Sequence, residues 1–250
     1  MSGDFDLDAG LKRLHLPTIR RSYLQVQEQA EKEQWSYRDF LDRLVGEELA
    51  HRAETRIHRA TCKARFPFLK TIEEFDFTFQ TSVRRKALGR FLGPEMVSEG
   101  RSAILLGRPG RGKMHLAIAF AYKAIQNGFA ARFVTVAELL NDLHRAGDDE
   151  REKVVESFVA PDILVLDELG YLTYGPDAAN LLFQIVDQRY LTRRPIIVTS
   201  NKDPSAWGAV LHDNDLAEAI VDRLFERGDV IRLQGKSYRN PREDDREGAA

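Results

Sequence analysis

From Leu16 to Ala64, apolar residues recur every three or four positions, the period of a helix with one covered face. Pro17 marks a helix start, because proline is tolerated at the first helical position, and Tyr23, Leu24 and Val26 continue the pattern. Ser36 followed by Asp39 resembles a capping box with Asp in place of Glu. Behind it, Phe40, Leu41, Leu44, Val45 and Leu49 share one face of a long helix predicted to run to about residue 64. Pro67, within Arg65-Phe-Pro-Phe-Leu69, ends that helix, since proline disfavours helix at itself and at the residue before it. The aromatic run Phe75-Asp-Phe-Thr-Phe79 follows, then a predicted helix from Ser82 to Leu92.

Beyond residue 102 short apolar runs alternate with helical segments. Strands are predicted at 103–106, 131–136, 163–166, 196–199 and 230–233, and helices at 113–125, 137–144, 178–190 and 216–227. The polar run Gly147 to Lys153 reads as a surface turn leading into a further short helix. Strands separated by helices pair in parallel and put ligands at their carboxyl ends. The expected architecture is α/β, a parallel sheet flanked by helices, with a small all-helical N-terminal domain. The expected boundaries are 1–66 for the helical part, 67–240 for the sheet domain and 241–250 for a charged flexible tail.

A length of 250 residues suits one such domain plus an appendage. The net charge of −2 neither demands nor excludes a nucleic-acid partner, so local clusters matter more than the total. The single cysteine, Cys62, cannot form an internal disulfide and fits a reducing compartment. The acidic N-terminus has no apolar stretch of the kind a signal peptide needs. No apolar run approaches the roughly 20 residues of a membrane helix. A cytoplasmic protein with no membrane partner is expected.

The strongest chemical signal is Gly107-Arg108-Pro109-Gly110-Arg111-Gly112-Lys113, placed after a strand and opening a helix. Glycines let backbone N–H groups turn around phosphate oxygens, the helix amino end favours negative charge, and Lys113 can reach the β- and γ-phosphates. ATP with Mg²⁺ is the cofactor expected here. The residue after the lysine, ordinarily a metal-coordinating Ser or Thr, is Met114, whose thioether is a poor ligand for a hard cation. Four apolar residues then lead into Asp167, a candidate metal ligand, and Glu168, a candidate to orient and deprotonate the attacking water. Asn201, ending another strand, is a candidate to hold that water, or else a turn former. Arg223 and Arg227, one helical turn apart, suit either an arginine finger for a neighbouring subunit or a salt-bridge ladder with Asp222, Glu226 and Asp229. Arg52, Arg56, Arg59, Lys63 and Arg65 form a basic stripe suited to phosphates, interrupted only by Glu54. No base-reading motif accompanies it, so sequence-tolerant contact with double-stranded DNA is expected.

The loop at 107–113 with His115-Leu116-Ala117 after it resembles the IstB/DnaC branch of the AAA+ P-loop ATPases. So do Leu166-Asp-Glu-Leu-Gly-Tyr171, Thr199-Ser-Asn201, Trp207-Gly208, Asp222-Arg-Leu224 and Gly235-Lys-Ser-Tyr-Arg239. The resemblance spans nearly the whole chain and is greatest to the IstB side, helper ATPases of insertion sequences. It implies ATP-dependent assembly into oligomers on duplex DNA, deformation of that DNA, and recruitment and stimulation of a cognate transposase. It also implies Arg223 or Arg227 as an intersubunit arginine and Arg239 as a second arginine sensor, and it adds His115 to the nucleotide-binding segment. The family pattern has Thr where this chain has Met114. Three functions therefore compete: a hydrolysing transposition helper, a helicase loader that engages a partner ATPase, and an ATP-binding DNA scaffold with little hydrolysis.

Overall fold

The computed structural model describes residues 6–172 and 174–239, so the tail expected at 241–250 lies outside the described residues. The chain divides into two units, Met1–Arg59 and Ala60–Ala250. No helix among the described residues is long and apolar enough to cross a membrane.

The first unit is helical. It comprises α1 (Leu7–Arg13), α2 (Pro17–Glu33) and most of α3 (Tyr37–Ala64). Asp6 caps α1 and the Ser36–Asp39 pair opens α3, as the residue types demand. At α2 the N-cap position is Leu16, which has no capping oxygen. The deficit is met from α3, where the buried Glu48 carboxylate accepts the Thr18 and Ile19 N–H groups at 2.8 and 3.2 Å. Arg52 completes this knot, 2.8 Å from Glu48 and hydrogen-bonded to the His15 carbonyl. The apolar face expected on α3 is largely uncovered. Leu44 is buried, but Leu41, Val45 and Leu49 are exposed, because α2 engages α3 partly through the polar Glu48.

The second unit carries a five-stranded, all-parallel sheet in the order β2-β3-β4-β1-β5. Its strands are β1 (Ser102–Leu106), β2 (Ala131–Thr135), β3 (Ile163–Leu169), β4 (Ile196–Ser200) and β5 (Gly228–Arg232). After α4 (Glu95–Ser98), α5 (Lys113–Gln126) covers one face of the sheet. Alternate residues Ile104, Leu106, Leu164, Leu166 and Val198 point the other way. There they join the core formed by α6 (Val136–Arg145), α7 (Asp148–Val159), α8 (Ala178–Leu191), α9 (Trp207–Leu211) and α10 (Asn214–Glu226). Adjacent strands β1 and β4 thus send their following helices to opposite faces, which opens a crevice at their carboxyl ends.

Three local expectations shift. The segment from Ser82 is a 3₁₀ helix, Arg85–Phe91; its buried Leu88 and Phe91 are three apart, the spacing that period aligns, and Gly89 weakens an α-helix. Val136 belongs to α6 rather than β2, because Thr135 and Glu138 form a reciprocal capping box. Helix α7 begins within the polar run, directly after Gly147.

Arg189, fully buried on α8, ties the layers together. Its guanidinium donates to the carbonyls of Phe158, Val159, Pro161, Asp162 and Pro195 at 2.8–3.0 Å. Arg189→Leu, measured by urea unfolding, is expected to lower stability by about 3 kcal/mol or more, since buried carbonyls lose charge-assisted partners.

Candidate functional site

The phosphate loop leaves β1 and enters α5, so the helix amino end opens on it. Two of its glycines are required sterically. Gly107 has φ +153°, and a Cβ there would lie 2.4 Å from the Leu233 carbonyl oxygen. Gly112 has φ +91°, and a Cβ would meet the Phe75 ring at 2.8 Å.

The loop is clamped between residues 71–80 and 233–239. Buried Gln80 donates to the Arg111 carbonyl at 3.1 Å and accepts the Gly235 N–H at 2.9 Å. Tyr238 N–H donates to the Gly110 carbonyl at 2.8 Å, and its hydroxyl to the Asp76 carbonyl at 2.9 Å. Phe75 meets the rings of His115 and Tyr238 edge-on, at 5.2 and 6.1 Å. His115 Nε2 lies 2.8 Å from the Thr71 carbonyl, and burial pushes its pKa below the ordinary value. His115 therefore fastens the clamp to α5.

Lys113 is buried, and its ammonium donates to the carbonyls of Gly107 and Arg108 at 2.6 and 2.9 Å. Burial pushes its pKa down to about 8; Asp167 opposes the shift, while Arg239 and Arg111 add to it. β3 does not stop at Leu166. It continues to Leu169 with a register slip against β4 between Leu166 and Leu169, and Glu168 has φ +63°, a conformation uncommon outside glycine. Asp167 is buried and Glu168 exposed. Thr199, buried on β4, joins them: its hydroxyl donates to Asp167 Oδ1 at 2.5 Å and accepts the Glu168 N–H at 3.1 Å. Burial raises the Asp167 pKa, and the Thr199 hydrogen bond partly offsets it. Nothing in the strand pattern distinguished Thr199 as more than a neighbour of Asn201.

These groups line a cavity of about 410 Å³, a size suited to a nucleotide, with Met114, Tyr171, Tyr238 and Arg239. Asp167 Oδ2 is buried with no hydrogen-bond partner among the described residues, an acceptor that suits a hard cation. Met114 adds only a thioether to this wall. One carboxylate is a normal protein contribution to Mg²⁺, which takes its other oxygens from phosphates and water. The residues present therefore fit ATP with Mg²⁺.

The remaining candidates are distributed. Asn201 is exposed just past β4 and lines a second cleft with Gly107, Arg108 and Arg111. Arg223 lies 2.6 Å from Asp187 and over the Phe183 ring, and Arg227 is 3.6 Å from Glu226 and over Tyr190. Asp229, a partner in the expected ladder, pairs instead with Arg90 and Arg101. The Arg227 carbonyl accepts the Ser102 N–H, so this pair sits at the amino end of β1, about 16 Å of strand from the phosphate loop. Neither arginine lines the Lys113 cavity. In the basic stripe, Arg56, Arg59, Lys63 and Arg65 are exposed, whereas Arg52 is engaged by Glu48 and His15.

Residues 9–245 match the sequence pattern of the family described as IstB-like ATP binding protein. The chain is 38% identical over 228 residues to the ATP-binding protein of insertion sequence IS5376 from Geobacillus stearothermophilus, covering 91% of this chain and 90% of that one. It is 36% identical to that of IS21 from Pseudomonas aeruginosa, covering 94% and 88%. Among solved structures, DnaI is similar in fold with a TM-score of 0.56 at 22% identity, covering 66% of this chain and 90% of that one.

Lys113 must carry its proton to offset phosphate charge. With its pKa lowered to about 8, ATP affinity is expected to be constant at lower pH and to fall above it, toward about tenfold per pH unit, with proton uptake on binding. Calorimetric titrations at pH 7 to 9.5 measure this, and Lys113→Ala is expected to remove both the binding and its pH dependence.

Proposed function

The chain belongs to the family of IstB-like ATP-binding proteins, and from that premise we propose that it is the ATP-hydrolysing helper of an insertion-sequence transposase. In this reading it assembles on duplex DNA, deforms it, and recruits and stimulates the transposase. The observation that carries the ATPase part is the Thr199 clamp, which fixes a buried Asp167 and an exposed Glu168 in the Lys113 cavity.

Within that cavity Lys113 holds the β- and γ-phosphates and Glu168 takes a proton from the attacking water. Arg239, on the cavity wall, contacts the phosphates, whereas Asn201, the candidate for holding that water, lines the neighbouring cleft and not this cavity. Mg²⁺, when bound, neutralises phosphate charge, and Asp167 Oδ2 is the protein atom available to it. Arg223 and Arg227 are too far from the chain's own phosphate loop to serve it, which supports a role for one of them in the site of a neighbouring subunit. Residues 1–66 act in assembly and DNA contact, and 67–240 as the ATPase domain. The exposed Arg56, Arg59, Lys63 and Arg65 support contact with DNA phosphates along α3 and just past its end.

Met114 favours a second reading, an ATP-dependent DNA scaffold with slow turnover. Methionine supplies no oxygen where the P-loop hydroxyl would coordinate the metal, although a water can substitute. Steady-state ATP turnover with and without duplex DNA separates the two readings. Glu168→Gln is expected to retain ATP and lose turnover. Met114→Thr is expected to raise turnover at least severalfold with a smaller change in ATP affinity; no increase would remove the scaffold reading. For DNA, neutralising Arg56 or Arg59 should lower the slope of log affinity against log salt by about one each. Arg52→Ala, in contrast, should mainly destabilise the helical unit through Glu48.

A further inference from the structure

The register slip in β3 sets two carboxylates opposite one residue. Leu166 pairs with Val198 and Leu169 with Ser200, so Asp167 and Glu168 together oppose a single residue of β4, Thr199. Without the extra residue they would follow the alternation of the strand and oppose successive residues of β4. Thr199 is buried, and branching at its Cβ restricts its rotamers, so the strand itself fixes where its hydroxyl stands.

The direction of each hydrogen bond follows from what the groups can do. The Glu168 N–H can only donate, so the Thr199 oxygen accepts it, at 3.1 Å. The hydroxyl proton is left for Asp167 Oδ1, at 2.5 Å. The two oxygens of Asp167 thereby become unequal. Oδ1 is tied to β4, while Oδ2 is buried with no hydrogen-bond partner among the described residues. Beyond the same hydroxyl, the main chain of Glu168 is held at φ +63°, and its exposed side chain lines the Lys113 cavity. The phosphate loop brings no hydroxyl of its own to this carboxylate, since residues 107–114 contain neither serine nor threonine.

We propose that Thr199 is a positioning residue of the nucleotide site, one that sets both carboxylates through a single hydroxyl. By engaging Oδ1 it leaves Oδ2 as the Asp167 oxygen offered to a hard dication. By gripping the Glu168 N–H it fixes the point from which the water-handling side chain leaves the main chain. The proposal rests on the ATPase reading above and deepens it, adding a residue that acts through Asp167 and Glu168.

The test compares Thr199→Val, which keeps the shape and removes the hydroxyl, with Thr199→Ser, which keeps the hydroxyl. The full chain is titrated with ATP in EDTA, and with Mn²⁺ in the presence of ATP by electron paramagnetic resonance. Turnover is measured in Mg²⁺. Thr199→Val should bind ATP in EDTA within about twofold of the parent, yet bind Mn²⁺ about tenfold more weakly and lose turnover by about tenfold or more. Thr199→Ser should return Mn²⁺ affinity to within about threefold of the parent. Parent-like Mn²⁺ affinity in Thr199→Val overturns the proposal, and so does a Thr199→Ser protein that behaves like Thr199→Val. Loss of ATP binding in EDTA by Thr199→Val marks a merely structural role and also overturns it. A parent chain that binds ATP and Mn²⁺ without turnover defeats the hydrolysis reading alone, and the Mn²⁺ comparison still decides Thr199. No ATP binding by the parent chain defeats the ATPase reading and the proposal together.

Discussion

Two opposite charges, Asp167 and Lys113, are held out of water at the carboxyl end of a parallel sheet, and each moderates the cost of burying the other. Burial pushes the carboxylate toward its neutral form and the ammonium toward its own, and their mutual attraction works against both shifts. Neither charge could be kept there without the fixed partners around it. Lys113 is met by loop carbonyls, and Asp167 by the Thr199 hydroxyl. The sheet supplies that geometry by bringing β3 and β4 side by side, so a residue on one strand orients the carboxylate on the next.

Thr199 also explains how the backbone at Glu168 is held. A left-handed non-glycine residue persists where the surroundings over-determine it, and here its N–H is tied to the same hydroxyl that grips Asp167. One small side chain thus turns two consecutive carboxylates to different environments, one buried and one exposed. That division suits a metal ligand beside a group that handles water.

The phosphate loop has two chemically different sides. Lys113, Gly110 and Gly112 line a cavity walled by an aromatic clamp, while Arg108 and Arg111 line a second cleft. The clamp draws residues 71–80 and 233–239 onto the loop through Gln80, Phe75, His115 and Tyr238. Disturbance of either segment is therefore felt at Gly110 and Gly112, whose close contacts leave no room for a side chain. The arginines of α10 lie at the far end of the sheet, where they serve another site or none.

The sequence by itself determined the alternation of strands and helices, the phosphate loop and the Asp167-Glu168 pair. Each of these is written in residues adjacent along the chain: uninterrupted apolar runs make strands buried on both faces, and glycine spacing makes the loop. It determined the long helix at 37–64 as well, but not which of its residues are covered. Apolar spacing pointed to Leu41, Val45 and Leu49, whereas packing against α2 chose Glu48, because only the fold shows that Leu16 leaves α2 uncapped. The tertiary structure alone decided that Thr199 joins the two carboxylates, that Arg52 reaches the His15 carbonyl, and that Arg108 and Arg111 line a different cavity from Lys113. Those relations join residues up to 37 positions apart in the chain or fix the direction of a side chain. Neither separation across strands nor side-chain direction leaves a periodic trace, since strand order and close packing set both.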